Sequence, residues 1–217
     1  GTPQGGVISP LLANIVLNYL DWQLHKAGYH FARYADDFVV VCQTNQQAQE
    51  ALTFVKHVLE DQLKLRLSPE KTKITTFGKG YEFLGFVLSS RSRRMRDKSL
   101  QKFKARIREL TQRKRNLDAK VIEKLNQVIR GTANYFGTTF STNRRTFMKT
   151  DSWIRMRLRC MKSKRKNYRD NDKLRLTYFH HKLGLLTLEG RCRYVDAHGQ
   201  VRCVIPRGGA TSVGVAR

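Results

Sequence analysis

The chain has 217 residues, of which 40% are hydrophobic, so one large or two small packed cores are possible and wholesale disorder is excluded. No run of eighteen apolar residues occurs, so the sequence predicts neither a membrane-spanning helix nor a membrane partner. The four cysteines follow no disulfide framework, and a reducing, cytoplasmic compartment is therefore expected.

The formal net charge of +25 is confined to one part of the chain. Residues 1–90 hold eight of the 42 Lys and Arg residues and eight of the 17 Asp and Glu residues, so the whole excess lies in residues 91–217. Solubility requires far less charge than this. A neutral part followed by a strongly basic part predicts a catalytic core beside a surface that binds a polyanion, with a membrane surface as the less favoured partner.

The pattern of residues 1–42 predicts a helix followed by a hairpin. Ser9 as N-cap and Pro10 at the first helical position predict the start of the helix, and Gly28 predicts its end. Apolar residues recur between them at helical spacing. Two short strands are then predicted within residues 30–42, on either side of Ala35-Asp36-Asp37.

The remaining neutral part predicts a second helix over residues 48–63 and a pair of strands, residues 74–77 and 81–88, across a Gly-Lys-Gly turn. Helices on one face of an antiparallel sheet give an α+β fold for residues 1–90.

A cluster of Ser and Arg at residues 89–96 predicts a domain boundary near residue 90. Apolar stripes at helical spacing then predict three basic amphipathic helices, which form an α-helical bundle over residues 91–185 with Lys and Arg on its outer faces. Residues 186–217 are predicted to be a short C-terminal tail, with part of a DNA-binding region as the alternative. From Gly184 onward the sequence pattern leaves the order of the chain unclear.

Asp36 and Asp37 are the candidate catalytic residues. Two adjacent carboxylates between apolar strands are costly unless a cation neutralises them, and hard oxygen donors of this kind suit Mg²⁺. Two such ions stabilise the attacking and leaving oxygens of a phosphoryl transfer. An ordinary Asp-Asp turn is the alternative, and the residues alone do not exclude it.

Four ordered blocks resemble the reverse transcriptases of group II introns. They are Arg33-Tyr34-Ala35-Asp36-Asp37-Phe38, the opening segment 1–15 with Pro3-Gln4-Gly5, the segment 69–73 and the block Phe83-Leu84-Gly85-Phe86. The segment 125–136 resembles the thumb motif of the maturase-specific region in the same proteins, with Thr132 where the family usually has a large aromatic residue. This segment favours group II introns over other RNA-templated polymerases.

The resemblance implies an RNA-directed DNA polymerase that also binds its intron RNA and assists splicing. It implies that Asp36 and Asp37 bind two Mg²⁺ ions together with a third carboxylate upstream of Gly1, so this chain alone is expected not to polymerise. Its partners would be intron RNA, an RNA template/DNA primer duplex and dNTP. Substrate contacts are implied for Pro3, Gln4, Gly5, Tyr34, Ala35, Lys71, Phe83, Leu84 and Gly85. A splicing cofactor without polymerase activity is the alternative.

Two clusters of cations in the basic part are predicted to contact RNA phosphates. The first comprises Arg106, Arg113, Lys114 and Arg115, and the second comprises Arg155, Arg159, Lys162, Lys164 and Arg165. Tyr135 and Phe136 are able to stack on unpaired bases, but core packing is the favoured prediction for both.

Overall fold

The computed structural model describes residues 7–165, 169–195 and 201–203, and the chain divides into two compact units between Leu84 and Gly85. Pro3, Gln4 and Gly5 lie outside the described residues. In the described part of the chain, no helix has both the length and the apolar character that crossing a bilayer requires.

The first unit consists of two helices and an antiparallel hairpin. Its elements are α1 (Ser9–Lys26), β1 (His30–Tyr34), β2 (Asp37–Val41), α2 (Asn45–Lys56) with a π-helical continuation (His57–Gln62), and β3 (Tyr81–Phe83). The predicted helix and hairpin are confirmed. Within the described range, residues 74–77 form no strand, so that prediction is wrong.

The boundaries of α1 differ slightly from the prediction. Ile8 occupies the N-cap position without a side-chain cap, and Ser9 is already helical, so the assignment of Ser9 as the N-cap is wrong. The end is as predicted. Gly28 adopts a φ of +76°, a conformation that glycine adopts without steric cost, and its N–H donates to the carbonyl of His25 at 3.0 Å.

The core of the first unit lies between the two helices. Leu17, Leu20 and Leu24 of α1 are buried and form one cluster with Val55 of α2 and with residues of its π-helical continuation. Phe31, Phe38 and Val40 of the hairpin pack against this cluster. The hairpin therefore rests on the same apolar core that joins the helices.

The second unit is a helical bundle with a hairpin before it. Its elements are β4 (Phe86–Leu88), β5 (Arg93–Met95), α3 (Asp97–Leu110), α4 (Ala119–Phe136), α5 (Arg144–Ser163), α6 (Asp170–Lys173), a π-helical turn (Tyr178–Lys182), a 3-10 turn (Glu189–Arg191), β6 (Arg193–Val195) and β7 (Val201–Cys203). The three predicted helices are confirmed as α3, α4 and α5.

The Ser- and Arg-rich segment 89–96 contains a turn and a strand. Phe86 of β4 lies opposite Met95 of β5, and the turn between them is closed by hydrogen bonds between Ser89 and Ser92. Serine favours such turns because its hydroxyl bonds to nearby main-chain groups. The division of the chain at Leu84 and Gly85 thus places this segment inside the second unit.

The apolar stripes of α3, α4 and α5 meet in one core. Ile107, Leu125, Ile129 and Leu158 have no exposed surface. Residues after the bundle complete this core, because Phe179, Leu185, Leu188 and Cys192 belong to the same buried cluster. The segment from Gly184 to Cys192, whose order the sequence left unclear, is therefore part of the fold.

Polar side chains attach this last segment and the hairpin to the helices. Asn126 of α4 donates to the carbonyl of Gly184 and accepts from the N–H of Leu186, both at 2.9 Å. Asn143 accepts from the N–H of Met95 at 2.7 Å and donates to the carbonyl of Phe136 at 2.8 Å. Each amide therefore satisfies one main-chain donor and one main-chain acceptor that have no helix or strand partner here.

Asp151 of α5 makes the third such attachment. Its carboxylate accepts from the N–H groups of Leu188 at 2.9 Å and Glu189 at 3.0 Å. Burial raises the pKa of Asp151 to about 6, although these hydrogen bonds and Arg155 oppose the rise. The charged carboxylate is thus retained in the folded unit at a cost in desolvation.

The raised pKa predicts that the free energy of unfolding falls as the pH rises from about 4 to about 6. The folded carboxyl holds its proton in this range while the unfolded one loses it, and a shift of about two units corresponds to roughly 3 kcal/mol. Urea unfolding at several pH values in this range measures the slope of the unfolding free energy against pH. Asp151→Asn should flatten it, whereas Asp172→Asn, at an exposed position on α6, serves as the control. An unchanged slope in Asp151→Asn contradicts the assignment.

Candidate active site and nucleic-acid interface

The paired aspartates lie at the tip of the β1–β2 hairpin. The strands are in antiparallel register from His30 opposite Val41 to Tyr34 opposite Asp37, which leaves Ala35 and Asp36 as a two-residue loop. Asp36 lies in the loop, Asp37 is the first residue of β2, and both side chains are exposed. The turn therefore presents both carboxylates to solvent at one end of the hairpin.

The loop has a strained backbone at one position. Ala35 adopts a φ of +53°, in the left-handed region where a residue with a Cβ costs about 1–2 kcal/mol. Two-residue hairpin loops require such a φ at the first position, where glycine is usual. Strain of this kind persists only where the surrounding contacts hold it.

Arg33 supplies the contacts that hold the loop. Its guanidinium donates from Nε to Asp21 at 2.8 Å and from Nη2 to the same carboxylate at 2.5 Å. From Nη1 it donates to the side chain of Asn14 and to the carbonyl of Ala35, both at 2.9 Å. One partly buried guanidinium therefore connects the carbonyl of the loop to two residues of α1.

The ion pair between Arg33 and Asp21 is largely shielded from water, with 11% and 23% of the two side chains exposed. The hydrogen bond that Arg33 donates to Asp21 raises the pKa of Arg33 above its ordinary value, against the opposing effect of burial. Bidentate pairing of this kind combines charge with fixed geometry.

The sequence motif that begins with Arg33 predicted no role for this residue. The sequence nevertheless contains a pattern that indicates a buried role for Arg33, because strand alternation places it on the inward face with Phe31. Helical spacing likewise places Asp21 on the buried stripe of α1 with Leu17 and Leu24. An inward cation and an inward acid in neighbouring elements predict a pair.

The donor chemistry of the hairpin tip fits magnesium. Two exposed carboxylates on a tight turn offer the hard oxygen ligands that Mg²⁺ prefers, and Mg²⁺ commonly takes one or two carboxylates together with substrate phosphates. Among the described residues, however, no group of three or more His, Cys, Asp or Glu side chains is placed to share a metal ion. Within these residues the hairpin tip thus offers two carboxylate groups.

The other predicted substrate residues are spread over the first unit. Tyr34 is 67% exposed and lies opposite Asp37 in the hairpin, so its ring borders the carboxylates. Lys71 is exposed in a turn, where its N–H donates to the carbonyl of Ser68 at 3.2 Å. Phe83 is half-buried in β3. The structure therefore brings Tyr34 and Ala35 to the aspartates.

Leu84 and Gly85 form a turn with φ values of +48° and +78°. A Cβ on Gly85 would come within 3.4 Å of the ring of Phe136 and 3.5 Å of the hydroxyl of Ser99. These distances are ordinary van der Waals contacts, so glycine is favoured here by its backbone conformation and not by lack of space.

The two predicted basic clusters meet in space although about fifty residues separate them. Lys164 donates from Nζ to the carbonyls of Arg113 and Arg115 at 2.9 and 2.6 Å. The side chains of Arg113, Lys114 and Arg115 are exposed around this contact. We call the surface formed by Arg113, Lys114, Arg115, Lys164 and Arg165 the basic patch.

Several of the predicted RNA contacts also have partners within the protein. Arg106 pairs with Glu109 at 2.6 Å, and Arg165 lies 3.8 Å from Asp170. Lys162 is hydrogen-bonded to the hydroxyl of Tyr178. Arg155 and Arg159 are half-buried, and burial lowers the pKa of each.

Comparison with known proteins separates the chain into two matched regions. Residues 1–88 match the family described as reverse transcriptase (RNA-dependent DNA polymerase), and residues 100–179 match the group II intron, maturase-specific domain.

The chain belongs to the reverse transcriptase/maturases of group II introns.

Protein YkfC of Escherichia coli (strain K12) is a relative of this reverse transcriptase/maturase chain. The two are 37% identical over 128 residues, an alignment that covers 43% of this chain and 34% of that protein. The chain thus spans about a third of the length of this relative.

The maturase-specific region contains the side chains that organise the second unit. Asn126 lies in the segment 125–136 that resembles the thumb motif. Phe136 is buried, as predicted, but Tyr135 is 51% exposed, so the prediction that Tyr135 is a core residue is wrong. Adjacent residues of a helix point in different directions, so the two rings cannot share one environment.

We predict that Arg33→Lys weakens the hairpin, because an ammonium group cannot bridge Asp21, Asn14 and the carbonyl of Ala35 in one plane. The loss of about two charge-assisted hydrogen bonds should lower hydrogen-exchange protection of the amides of residues 38–40 by about ten-fold or more. Arg66→Lys, at an exposed position in the same unit, should leave these amides unchanged. Equal protection in both variants would show that Arg33 does not anchor the loop.

Proposed function

We propose that this reverse transcriptase/maturase chain is part of an RNA-directed DNA polymerase of a group II intron that also binds the intron RNA and assists its splicing. The observation that carries the proposal is the pair of exposed carboxylates, Asp36 and Asp37, on a loop held by Arg33. The family matches of both regions support it. The substrates would be an RNA template/DNA primer duplex and a dNTP.

The residues of the hairpin have distinct roles in the proposed polymerase reaction. Asp36 and Asp37 would hold Mg²⁺, which would supply charge stabilisation at the phosphates of the dNTP. Tyr34 and Ala35 would border the end of the primer, and the Arg33 clamp would keep the carboxylates in position. A misplacement of about 1 Å in such a site costs about a hundred-fold in rate.

The isolated chain is proposed to be inactive in polymerisation. Its described residues do not gather a third carboxylate beside Asp36 and Asp37, and two carboxylates alone hold a two-metal centre weakly. We therefore propose that the site needs a further ligand besides Asp36 and Asp37, and that primer extension requires the full-length protein.

Primer extension on an RNA template by the full-length protein tests the polymerase assignment. Asp36→Asn should lower the rate by about a thousand-fold, because several kcal/mol of metal-dependent stabilisation are lost and each ~1.4 kcal/mol changes the rate ten-fold. Glu60→Gln removes an exposed carboxylate from the π-helical continuation of α2 and should retain activity. A polymerisation rate that Asp36→Asn leaves unaffected would overturn the catalytic role.

A splicing cofactor without polymerase activity is the second candidate. The basic patch favours it, since Lys164 joins two segments whose exposed cations suit RNA phosphates and require no catalytic site. The two candidates differ in one result. A full-length protein that assists splicing but extends no primer would be the cofactor.

RNA binding by the basic patch is tested with this chain in a salt titration. Arg113→Gln combined with Arg115→Gln should weaken binding to structured intron RNA and reduce the slope of log affinity against log salt by roughly two. Lys120→Gln with Lys124→Gln removes the same charge from exposed positions on α4 and is the matched control. Equal losses in the two double variants would show that charge alone, and not this patch, determines binding.

A further inference from the structure

Two half-exposed aromatic rings of the second unit pack on the same buried ring. Tyr135, at the end of α4, is 51% exposed, and Phe140, in the following loop, is 47% exposed. Both pack on Phe86 of β4, which is buried, with ring centroids 5.9 and 5.3 Å away. We call the surface formed by Tyr135 and Phe140, together with the buried Phe86 on which they pack, the aromatic platform.

The loop that carries Phe140 is held at both ends. The N–H of Thr142 donates to the carbonyl of Arg93 at 2.8 Å, and its hydroxyl accepts from the N–H of Arg93 at 3.0 Å. At the other end, the carbonyl of Gly137 accepts from the N–H of Arg193 at 2.8 Å. The ring of Phe140 is therefore presented on a fixed loop, which reduces the entropy lost when a ligand stacks on it.

A cation lies on β5, the strand paired with the one that carries Phe86. Arg93 is exposed and pairs with Leu88 across the β4–β5 hairpin, two residues along from the pair of Phe86 and Met95. Because side chains alternate along a strand, Arg93 lies on the same face of the hairpin as Phe86. An exposed guanidinium next to exposed rings is the combination that binds a phosphate together with its base.

We propose that the aromatic platform binds an unpaired nucleobase of a single-stranded nucleic acid, with Arg93 contacting the adjacent phosphate. Bases inside a duplex are stacked on each other, and only a splayed base offers its face to a protein ring. The positive charge of residues 91–217 favours a polyanion over an apolar protein partner. The inference rests on the proposed nucleic-acid binding and assigns one part of it to single strands.

The test compares single-stranded and duplex binding by this chain. Fluorescence anisotropy is measured with a short single-stranded RNA and with a blunt duplex of the same length. Tyr135→Ala and Phe140→Ala should each weaken single-strand binding by about ten-fold and leave duplex binding unchanged, because each removes one stacking face. Tyr135→Phe and Phe140→Tyr keep a ring and should retain the affinity. Arg93→Gln should reduce the slope of log affinity against log salt for single-stranded RNA.

Met148→Ala is the matched control, since Met148 is exposed to the same extent as Phe140 and lies on α5. It should leave both affinities unchanged. Alanine variants that bind single strands like the wild type would overturn the platform, and so would equal losses of single-strand and duplex binding. In either case the salt-dependent RNA binding of the wild type would still support the basic patch, whereas a wild type that binds no nucleic acid would refute both proposals.

Discussion

Two carboxylates at the tip of a two-stranded hairpin keep a fixed position only if contacts with the rest of the unit anchor the hairpin. Such a hairpin is marginally stable alone, and two adjacent negative charges add repulsion. Arg33 supplies the anchor, because its donors reach Asp21, Asn14 and the carbonyl of Ala35. Since α1 is itself fixed by its leucines in the apolar core, the position of the carboxylates is determined by the packing of the whole unit.

The second unit uses polar side chains in a similar way, but to fix segments of main chain. Asn126, Asn143 and Asp151 bond to main-chain groups of the hairpin, the α4 end and the last segment. Lys164 does the same for the loop before α4. Buried main-chain groups must be paired, and short irregular segments cannot pair them internally. These contacts hold the surfaces that carry the cations and the exposed rings.

Periodic features of the fold could be predicted from the sequence, and long-range polar contacts could not. The hairpin around Ala35 and the helices α3, α4 and α5 follow from alternation and helical spacing, which are local signals. The pairing of Arg33 with Asp21 and the contact of Lys164 with residues 113–115 join distant positions and leave no periodic trace. The strand β5 was missed because its arginines resembled a linker. For the candidate site, the family resemblance identified the carboxylates but not the group that positions them.

Gly85 lies fifty-one positions before Phe136 in the sequence, and the two residues belong to two different motifs, the reverse transcriptase-like blocks and the thumb-like segment. A Cβ at position 85 would be in ordinary van der Waals contact with the ring of Phe136, so the space itself would admit a small side chain. The φ of +78° is what selects glycine, since residues with a Cβ rarely adopt it. A replacement of Gly85 is therefore expected to strain the main chain whatever ring stands at position 136, and no compensating change there would relieve that strain.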